Sequence, residues 1–249
     1  MAGIYIHIPF CKQACYYCDF HFSTSLKNKD AFVLALIKEI QQRHRYLDST
    51  ETISSVYFGG GTPSLLEYKQ MMQVFDAINK HCKIEKDAEI TLEANPDDLT
   101  ENKIKELKAT PVNRLSIGVQ SFIENDLLWM NRAHNSKQAI TSVKAAQDCG
   151  FNNITIDLIY GTHTLNNDDW LNNLNTAFTL GVNHISAYCL TIEPKTVFGN
   201  RLQKNRIVPV DENKSAEQFE IMIKEMERNK FIQYEISNFC KEENYSRHN

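Results

Sequence analysis

Short apolar runs alternate along the chain with longer stretches whose apolar residues recur at helical spacing. The apolar runs, each long enough for one strand, cover 4–8, 53–58, 88–93, 114–119, 153–159 and 184–190. The stretches with helical spacing cover 28–47, 65–82, 136–149 and 167–180, and Thr100 is placed to cap a further helix. Strands that alternate with helices in this way predict a parallel sheet, because each crossover helix returns the chain to the same end of the sheet.

The number of these units indicates the architecture. Six strand–helix units in series predict an α/β fold, and we expect a partial (β/α)6 TIM-like barrel rather than an open sheet. A long amphipathic helix over 211–229 and a short strand over 234–239 follow. We therefore assign residues 1–210 to the barrel core and residues 211–249 to the beginning of a C-terminal region.

Composition narrows the class of protein without identifying a function. Of the 249 residues, 42% are apolar and 23% are charged, which is ordinary for a globular protein. The net charge of −4 and the lack of basic clusters interleaved with aromatic residues argue against a nucleic-acid partner. No apolar run approaches the ~18 residues of a membrane-spanning segment, and the N-terminus does not have the pattern of a signal sequence. We therefore expect a cytoplasmic protein.

Three of the seven cysteines stand in one short loop directly after the first strand. Cys11, Cys15 and Cys18 form a C-x3-C-x2-C run, and thiolates at such close spacing are the usual ligands of iron–sulfur clusters. A cubane has four irons, so three thiolates would leave one iron open to another ligand. A zinc site and three unrelated thiols are the alternatives, although zinc usually takes four ligands. The other cysteines are widely scattered, which argues against disulfides, and we expect Cys240 to be a buried structural thiol.

Polar or glycine residues stand at the end of every strand predicted in the core. In parallel α/β folds the carboxyl ends of the strands meet at one edge, where the chemistry takes place. Besides the cysteines, this edge receives Gly59-Gly60-Gly61-Thr62, Glu93, Gln120, Asp157 and Cys189, with Arg132 a short distance after the fourth strand. Each of these groups alone is also typical of an ordinary polar surface position, but together they predict a polar cavity above the sheet.

The same segments resemble known motifs. The cysteine run, with Tyr17 directly before the third cysteine, is similar to the motif of the radical S-adenosylmethionine (SAM) superfamily. The segments YIHIPFCKQACYYCDF, YFGGGTPS, TLEANPDDLT, RLSIGVQSF, MNRAH, IDLIYG and ISAYCLTIEP resemble the oxygen-independent coproporphyrinogen III oxidase family over essentially the whole chain. This resemblance implies a partial (β/α)6 barrel, a [4Fe-4S] cluster on Cys11, Cys15 and Cys18, and SAM on the open iron.

The resemblance also implies which residues contact SAM. They are Tyr5, Tyr17, Gly60, Gly61, Thr62, Glu93, Gln120, Arg132, Asp157 and Cys189. Glycine N–H groups and a threonine hydroxyl can hold the methionine moiety, and carboxylates suit its amino group or the ribose hydroxyls. The guanidinium of Arg132 suits the SAM carboxylate.

One position separates two branches of this family. The coproporphyrinogen dehydrogenases have a fourth cysteine in a C-x3-C-x2-C-x-C motif, whereas this chain has Phe20 at that place. The C-D-F form is similar to the HemW-type branch, whose members are regarded as haem chaperones. This similarity implies haem as cargo and haem-acceptor proteins, such as respiratory enzymes, as partners. The alternative is SAM-dependent oxidative decarboxylation of coproporphyrinogen III, and whether the chain is an enzyme stays open.

The last residues also resemble the HemW-type branch. Segment 234–249 is similar to one that continues in that branch into an H-N-x-x-Y-W motif, and this chain stops at the His-Asn. We therefore expect the family's C-terminal region to be absent from this chain. His248 has one interpretation as a haem-site residue, but we expect an exposed histidine in a frayed tail. His7 and His21, on either side of the cysteine run, are expected to be hydrogen-bonding spacers.

Overall fold

A computed structural model describes residues 2–46, 48 and 50–249. Within these residues the strands form one eight-stranded sheet in the order β1-β2-β3-β4-β5-β6-β8-β7. The strands are β1 (Ala2–Ile8), β2 (Thr52–Gly60), β3 (Lys83–Ala94), β4 (Arg114–Gln120), β5 (Asn153–Tyr160), β6 (His184–Cys189), β7 (Phe231–Glu235) and β8 (Asn238–Lys241). The first six strands pair in parallel and in sequence order, whereas β8 pairs antiparallel to β6. The predicted parallel α/β sheet is therefore confirmed.

Helices connect the strands. They are α1 (Lys29–Arg43), α2 (Tyr68–His81), α3 (Glu101–Lys108), α4 (Glu124–Trp129), α5 (Ser136–Asp148), α6 (Asn167–Thr179), α7 (Val197–Gln203) and α8 (Glu212–Arg228), with a 3-10 turn over Pro63–Leu65. The Thr100 hydroxyl accepts a hydrogen bond from the Lys103 N–H and caps α3, as predicted. Helix α1 ends before Leu47, its predicted end, which lies outside the described residues together with Met1 and Ser49.

Three elements differ from the sequence-based prediction. The single strand predicted over 234–239 is wrong, because the chain reverses between β7 and β8, which pair antiparallel. The Glu235 carboxylate stabilises this reversal by accepting hydrogen bonds from Ser237 N at 3.1 Å and from Asn238 Nδ2 at 2.6 Å. Helices α4 and α7 have only six and seven residues, too few for a helical period to stand out in the sequence.

The two faces of the sheet differ in chemistry. Outward positions carry fully buried apolar side chains that pack with the helices, among them Phe58, Leu92, Ile117, Ile156 and Ile185. Positions offset by one residue carry hydrogen-bonding groups that face the inside of the curled sheet, among them Tyr57, Thr91, Ser116, Thr155, Asp157 and Ser186. The inside of the barrel is therefore polar, although the strands read as largely apolar in the sequence.

The C-terminal tail shows how strongly the sheet curls. The Ser246 N–H donates to the Tyr234 hydroxyl on β7 at 3.2 Å. Two residues later, His248 Nδ1 lies 3.2 Å from Ser55 Oγ on β2, and its ring stacks on Tyr57 with the centroids 4.9 Å apart. Such a short segment can reach both strands only if the sheet curls. Since no pairing joins β1 to β7 within the described residues, the barrel is partial, as predicted.

This geometry corrects the expectation of a frayed tail. His248 is half-buried against two tyrosine rings, and the neighbouring Arg247 N–H donates to Glu89 Oε1 at 2.9 Å. The tail is therefore anchored to strands on both sides of the barrel. The buried thiol expected at Cys240 is confirmed, because its side chain is fully buried and forms no disulfide.

The C-terminal residues extend the barrel sheet. Residues 212–228 form α8, and β7 and β8 continue the sheet beyond β6. The boundary placed at residue 210 stays a prediction. In the part of the chain that the structure describes, no helix is both long and apolar enough to span a membrane.

A buried cation, Arg114 on β4, connects polar groups on β3 and β5 inside the barrel. Arg114 is 2% exposed, and its guanidinium donates to Thr91 Oγ1 at 3.4 Å and to Thr155 Oγ1. Its Nε lies 3.7 Å from a carboxylate oxygen of Glu89, which is 6% exposed. A buried charge is tolerated only when it is paired and hydrogen-bonded, so Arg114 and Glu89 depend on each other.

Replacement of Arg114 by leucine should lower the free energy of unfolding by roughly 3–5 kcal/mol, because Glu89 would become a buried carboxylate without its cation. Urea unfolding followed by circular dichroism measures the change. The double variant Arg114→Leu with Glu89→Gln should recover part of the loss, since glutamine still accepts from the Arg247 N–H. A double variant less stable than Arg114→Leu alone would contradict the pairing.

Candidate functional site

The cysteine loop and the glycine loop pack directly against each other at the carboxyl edge of the sheet. The Gly61 N–H donates to the Ile8 carbonyl at 2.9 Å, and the Thr62 N–H donates to the Phe10 carbonyl at 2.7 Å. A Cβ on Gly61 would lie 2.7 Å from both carbonyl oxygens, closer than real Cβ atoms approach. Glycine at this position therefore allows the end of β2 to approach the start of the cysteine loop.

The three cysteines of the loop are free and half-buried. Burial is the main cause that raises the pKa of Cys11, and it raises the pKa of Cys18 to about 11, with the neighbouring thiols adding to both shifts. Among the described residues, no three His, Cys, Asp or Glu side chains are arranged to hold one metal ion together. A cubane differs from such a site because each thiolate binds its own iron. The donor set fits a cluster, whose assembly must displace the thiol protons.

Arg132 connects the cysteine loop to the ends of β3 and β4. One terminal nitrogen donates to Cys15 Sγ and to the Tyr17 hydroxyl, both at 3.2 Å. The other donates to Asn95 Oδ1 at 2.6 Å and to the Gly118 carbonyl at 2.8 Å. This pattern fixes the guanidinium beside the predicted cluster position and places the Tyr17 hydroxyl next to it.

Glu93 receives two hydrogen bonds at the end of β3. The Tyr57 hydroxyl donates to Oε1 at 2.8 Å, and the Gly60 N–H donates to Oε2 at 3.0 Å. Burial raises the pKa of Glu93 to about 7, and the Asp157 carboxylate adds to the shift while both hydrogen bonds oppose it. The sequence assigned the Gly60 N–H directly to a ligand, whereas in this structure it holds Glu93.

Asp157 faces the same interior from β5. Burial raises its pKa to about 6, although the nearby guanidinium groups of Arg114 and Arg132 act in the opposite direction. The Ser116 hydroxyl lies 3.5 Å from its carboxylate. Two carboxyls with raised pKa values, which face the same interior from β3 and β5, favour a ligand that brings positive charge into the cavity.

Two buried polar atoms in the site lack a hydrogen-bond partner among the described residues. They are Gln120 Oε1 and Arg132 Nε. Both side chains lie beside Gly118, since a Cβ placed there would come within 3.2 Å of Gln120 Oε1 and 3.3 Å of an Arg132 nitrogen. Gln120 also has a φ of 62°, a backbone conformation that costs energy for a residue with a side chain. An acceptor and a donor left open side by side fit a zwitterionic ligand such as the amino-acid end of SAM.

The other predicted residues surround this centre. Thr62 is buried, and its hydroxyl accepts from Asn95 Nδ2 at 3.0 Å. Tyr5 is half exposed on the inner side of β1, and Cys189 is exposed at the end of β6, paired with Tyr160 across the strands. The structure therefore places all the predicted residues at or facing one edge of the barrel.

Of the two histidines on either side of the cysteine run, His7 is the expected hydrogen-bonding spacer, whereas His21 contributes only its backbone carbonyl. His7 Nε2 lies 2.9 Å from the His21 carbonyl oxygen, and His7 Nδ1 lies 3.2 Å from the Tyr5 hydroxyl. Sequence reasoning missed Tyr57 as the partner of Glu93 and Asn131 as a support of the loop, whose Nδ2 donates to the Ala14 carbonyl at 2.8 Å. The alternation of positions along β2 could have identified Tyr57, because it shares a face with Gly59.

The raised pKa of Glu93 makes stability depend on pH with a defined sign. The folded chain holds this proton more tightly than the unfolded chain, so its contribution to stability is complete below about pH 4.5 and is lost as the pH rises through about 7. The unfolding free energy of Glu93→Gln minus that of wild type should therefore increase by on the order of 2 kcal/mol from pH 5 to pH 8, because only wild type loses this contribution. Urea unfolding of the ligand-free chain at both pH values measures this difference.

Glu227→Gln, which changes an exposed glutamate on α8, is the matched control. Its unfolding free energy should change between the two pH values by the same amount as that of wild type. If Glu93→Gln follows wild type in parallel at both pH values, the Glu93 carboxyl does not have the raised pKa described above.

A partial α/β barrel with a three-cysteine loop at the carboxyl edge of its sheet defines an iron–sulfur protein of the radical SAM type. The sequence model of the radical SAM superfamily matches residues 5–177, and the chain belongs to that superfamily. Membership implies that a [4Fe-4S] cluster and SAM are its cofactors. The predicted fold class is thereby confirmed as well.

Similar proteins point to one branch. The heme chaperone HemW of Bacillus subtilis is 39% identical over 251 aligned residues, which cover 100% of this chain and 66% of that protein. HemW of Escherichia coli is 38% identical over 202 residues, covering 80% of this chain and 53% of that protein. The predicted resemblance to the HemW-type branch is confirmed. The chain spans less than two thirds of the length of these relatives.

A solved structure agrees with the fold. Coproporphyrinogen III oxidase (HemN) from Escherichia coli superposes with a TM-score of 0.85 at 24% identity, over 96% of this chain and 55% of that chain. At this identity the likeness concerns the fold alone. It agrees with a partial barrel that the two branches of the family share.

Proposed function

We propose that this chain is the SAM- and cluster-binding core of a haem chaperone, which binds haem and transfers it to acceptor proteins. The observation that carries the proposal is the similarity to the HemW chaperone of Bacillus subtilis along the whole chain. Phe20 supports it, since a phenylalanine, 71% exposed, stands where the dehydrogenase motif has its fourth cysteine. A cytoplasmic location, expected from the sequence, is part of this proposal.

Cys11, Cys15 and Cys18 would each bind one iron of the cluster. When bound, such a cluster leaves one iron free to coordinate SAM and can pass an electron to it. Arg132 supports this assignment, because its cation lies 3.2 Å from Cys15 Sγ and would balance part of the negative charge of the thiolates. Its bonds to Asn95 and Gly118 would keep the loop in place against the sheet.

The remaining residues of the edge would bind SAM. Gln120 Oε1 and Arg132 Nε, both unpaired among the described residues, suit the amino and carboxylate groups of the methionine end. Glu93 and Asp157 suit the sulfonium charge or the ribose hydroxyls. The edge would be completed by Tyr5, Tyr17, Gly60, Gly61, Thr62 and Cys189.

The oxidase function of the same family is the second candidate, because motif segments of that family occur along essentially the whole chain. An anaerobic assay separates the two. Reconstituted protein is supplied with SAM, a reductant and coproporphyrinogen III, and a second sample is titrated with haem. We expect saturable haem binding and no protoporphyrinogen. Formation of protoporphyrinogen would contradict a function limited to haem transfer, and lack of haem binding would contradict the chaperone.

Loss of one loop cysteine should remove the cluster. Cys15→Ala is expected to retain little iron and sulfide after anaerobic reconstitution and to lose the broad visible absorption of the cluster, because two thiolates cannot hold the cubane firmly. Cys149→Ala, at the end of α5 and outside the site, is the matched control and should keep both. Equal iron and sulfide content in the two variants would show that the cluster is not bound by this loop.

A further inference from the structure

A second concave surface lies beside the cysteine loop and plays no part in the assignments above. This groove, here the Trp129 groove, has a volume of about 650 Å³ and is lined by Trp129, His163, Arg201, Arg206, Ile207 and Val208. Its size falls within the roughly 300–1,000 Å³ of small-molecule and cofactor sites. The end of α4, the loop after β5, α7 and the segment that follows α7 contribute these residues.

One wall of the groove is a fixed aromatic surface. The Trp129 ring stacks on Phe198 with centroids 4.0 Å apart and an interplanar angle of 27°, and Phe198 is fully buried. The His163 and Trp129 rings meet at an interplanar angle of 67° with their centroids 4.4 Å apart. Ile207 and Val208 add apolar surface. Such a wall suits one flat, extended apolar ligand.

The groove also carries two cations. Arg201 lies over the Tyr16 ring at 4.2 Å, and the Arg206 N–H donates to the Arg201 carbonyl at 2.8 Å, which keeps the two residues together. Throughout the described ranges, neither guanidinium comes within 4.0 Å of an acidic oxygen. Arginine forks without an acidic partner in the chain suit the carboxylates or phosphates of a ligand.

His163 supplies a metal-binding group at the rim. It is exposed, and within the described chain its ring nitrogens form no hydrogen bond to protein. A neutral imidazole with a free nitrogen is the usual protein ligand of haem iron.

We propose that the Trp129 groove binds a metalloporphyrin that carries carboxylate side chains, namely haem. The macrocycle lies on Trp129, Ile207 and Val208, the carboxylates meet Arg201 and Arg206, and the iron takes the imidazole of His163. This inference rests on the proposed function and names the place where the cargo binds. The groove is open on one side, which suits a cargo that has to leave again.

The groove is in contact with the cluster loop through one residue. The Phe198 N–H donates to the Tyr16 carbonyl at 2.9 Å, and the Tyr16 N–H donates to the Met130 carbonyl at 3.0 Å. Tyr16 lies between Cys15 and Cys18, so the cluster loop and the aromatic wall share a support. Haem in the groove would therefore lie next to the cluster loop.

His248, the other histidine considered for haem, is in a different environment. Its ring stacks on Tyr57 and its Nδ1 is 3.2 Å from Ser55 Oγ inside the barrel. His248 Nδ1 is thus engaged by Ser55 inside the barrel, whereas neither ring nitrogen of His163 is hydrogen-bonded to the described residues.

Titrations of the whole 249-residue chain with haem and with metal-free protoporphyrin IX test the assignment, with the Soret band and tryptophan quenching as readouts. His163→Ala should weaken haem binding at least about tenfold and leave metal-free protoporphyrin binding unchanged, because only the iron uses the imidazole. The double variant Arg201→Gln with Arg206→Gln should weaken the binding of haem and of protoporphyrin IX roughly tenfold or more, because both ligands carry the carboxylates.

His44→Ala, which changes an exposed histidine after α1, is the surface control, and His248→Ala tests the rival histidine. Both should bind haem like wild type. If wild type binds neither haem nor protoporphyrin, the proposed function itself fails. If wild type binds haem and the groove variants bind it equally well, or if only His248→Ala loses it, the groove assignment is overturned while the chaperone function stands.

Discussion

The guanidinium of Arg132 is the interaction on which the site depends. This side chain contacts the cysteine loop through Cys15 and Tyr17, and it contacts the ends of β3 and β4 through Asn95 and Gly118. A buried guanidinium without such partners would be costly, so the ordered loop and the buried cation stabilise each other. This mutual dependence holds the three thiols against the carboxyl edge of the sheet, where polar groups from five further strands converge.

The polar interior of the barrel places a second constraint on the fold. Hydrogen bonds run from Glu93 at the top through Tyr57, and stacking continues from Tyr57 to His248 at the tail. Below them, Arg114 and Glu89 pair with each other and with threonines and the tail backbone. A partial barrel with such an interior must satisfy its buried polar groups, and the last residues of the chain do so between its open edges. The tail is therefore part of the barrel rather than an appendage.

Much of this arrangement could be predicted from the sequence. The alternation of strands and helices determines the parallel sheet, and a parallel sheet brings every strand end to one edge, so Cys11, Glu93, Gln120 and Asp157 could be placed together without coordinates. Which groups of the chain form hydrogen bonds with each other could not be predicted in this way. Gly60 was expected to serve a ligand, yet its N–H holds Glu93, because that choice depends on the distance between two strands.

Other features were hidden for identifiable reasons. Helices α4 and α7 are too short to show a period, and the Trp129 groove that they help to form therefore left no sequence signal. The hairpin of β7 and β8 was mistaken for one strand because its turn residues, Ile236 and Ser237, do not include glycine or proline. The position of His248 depends on contacts with residues almost two hundred positions earlier in the chain, which no local pattern reveals.

We propose that SAM binds at this edge, directly on a cluster held by Cys11, Cys15 and Cys18. The most direct measurement is the electron paramagnetic resonance spectrum of the reduced, reconstituted protein before and after SAM is added. Coordination of SAM to the open iron should change the g values and line shape of the cluster signal. A cluster signal that is identical with and without saturating SAM would contradict the claim.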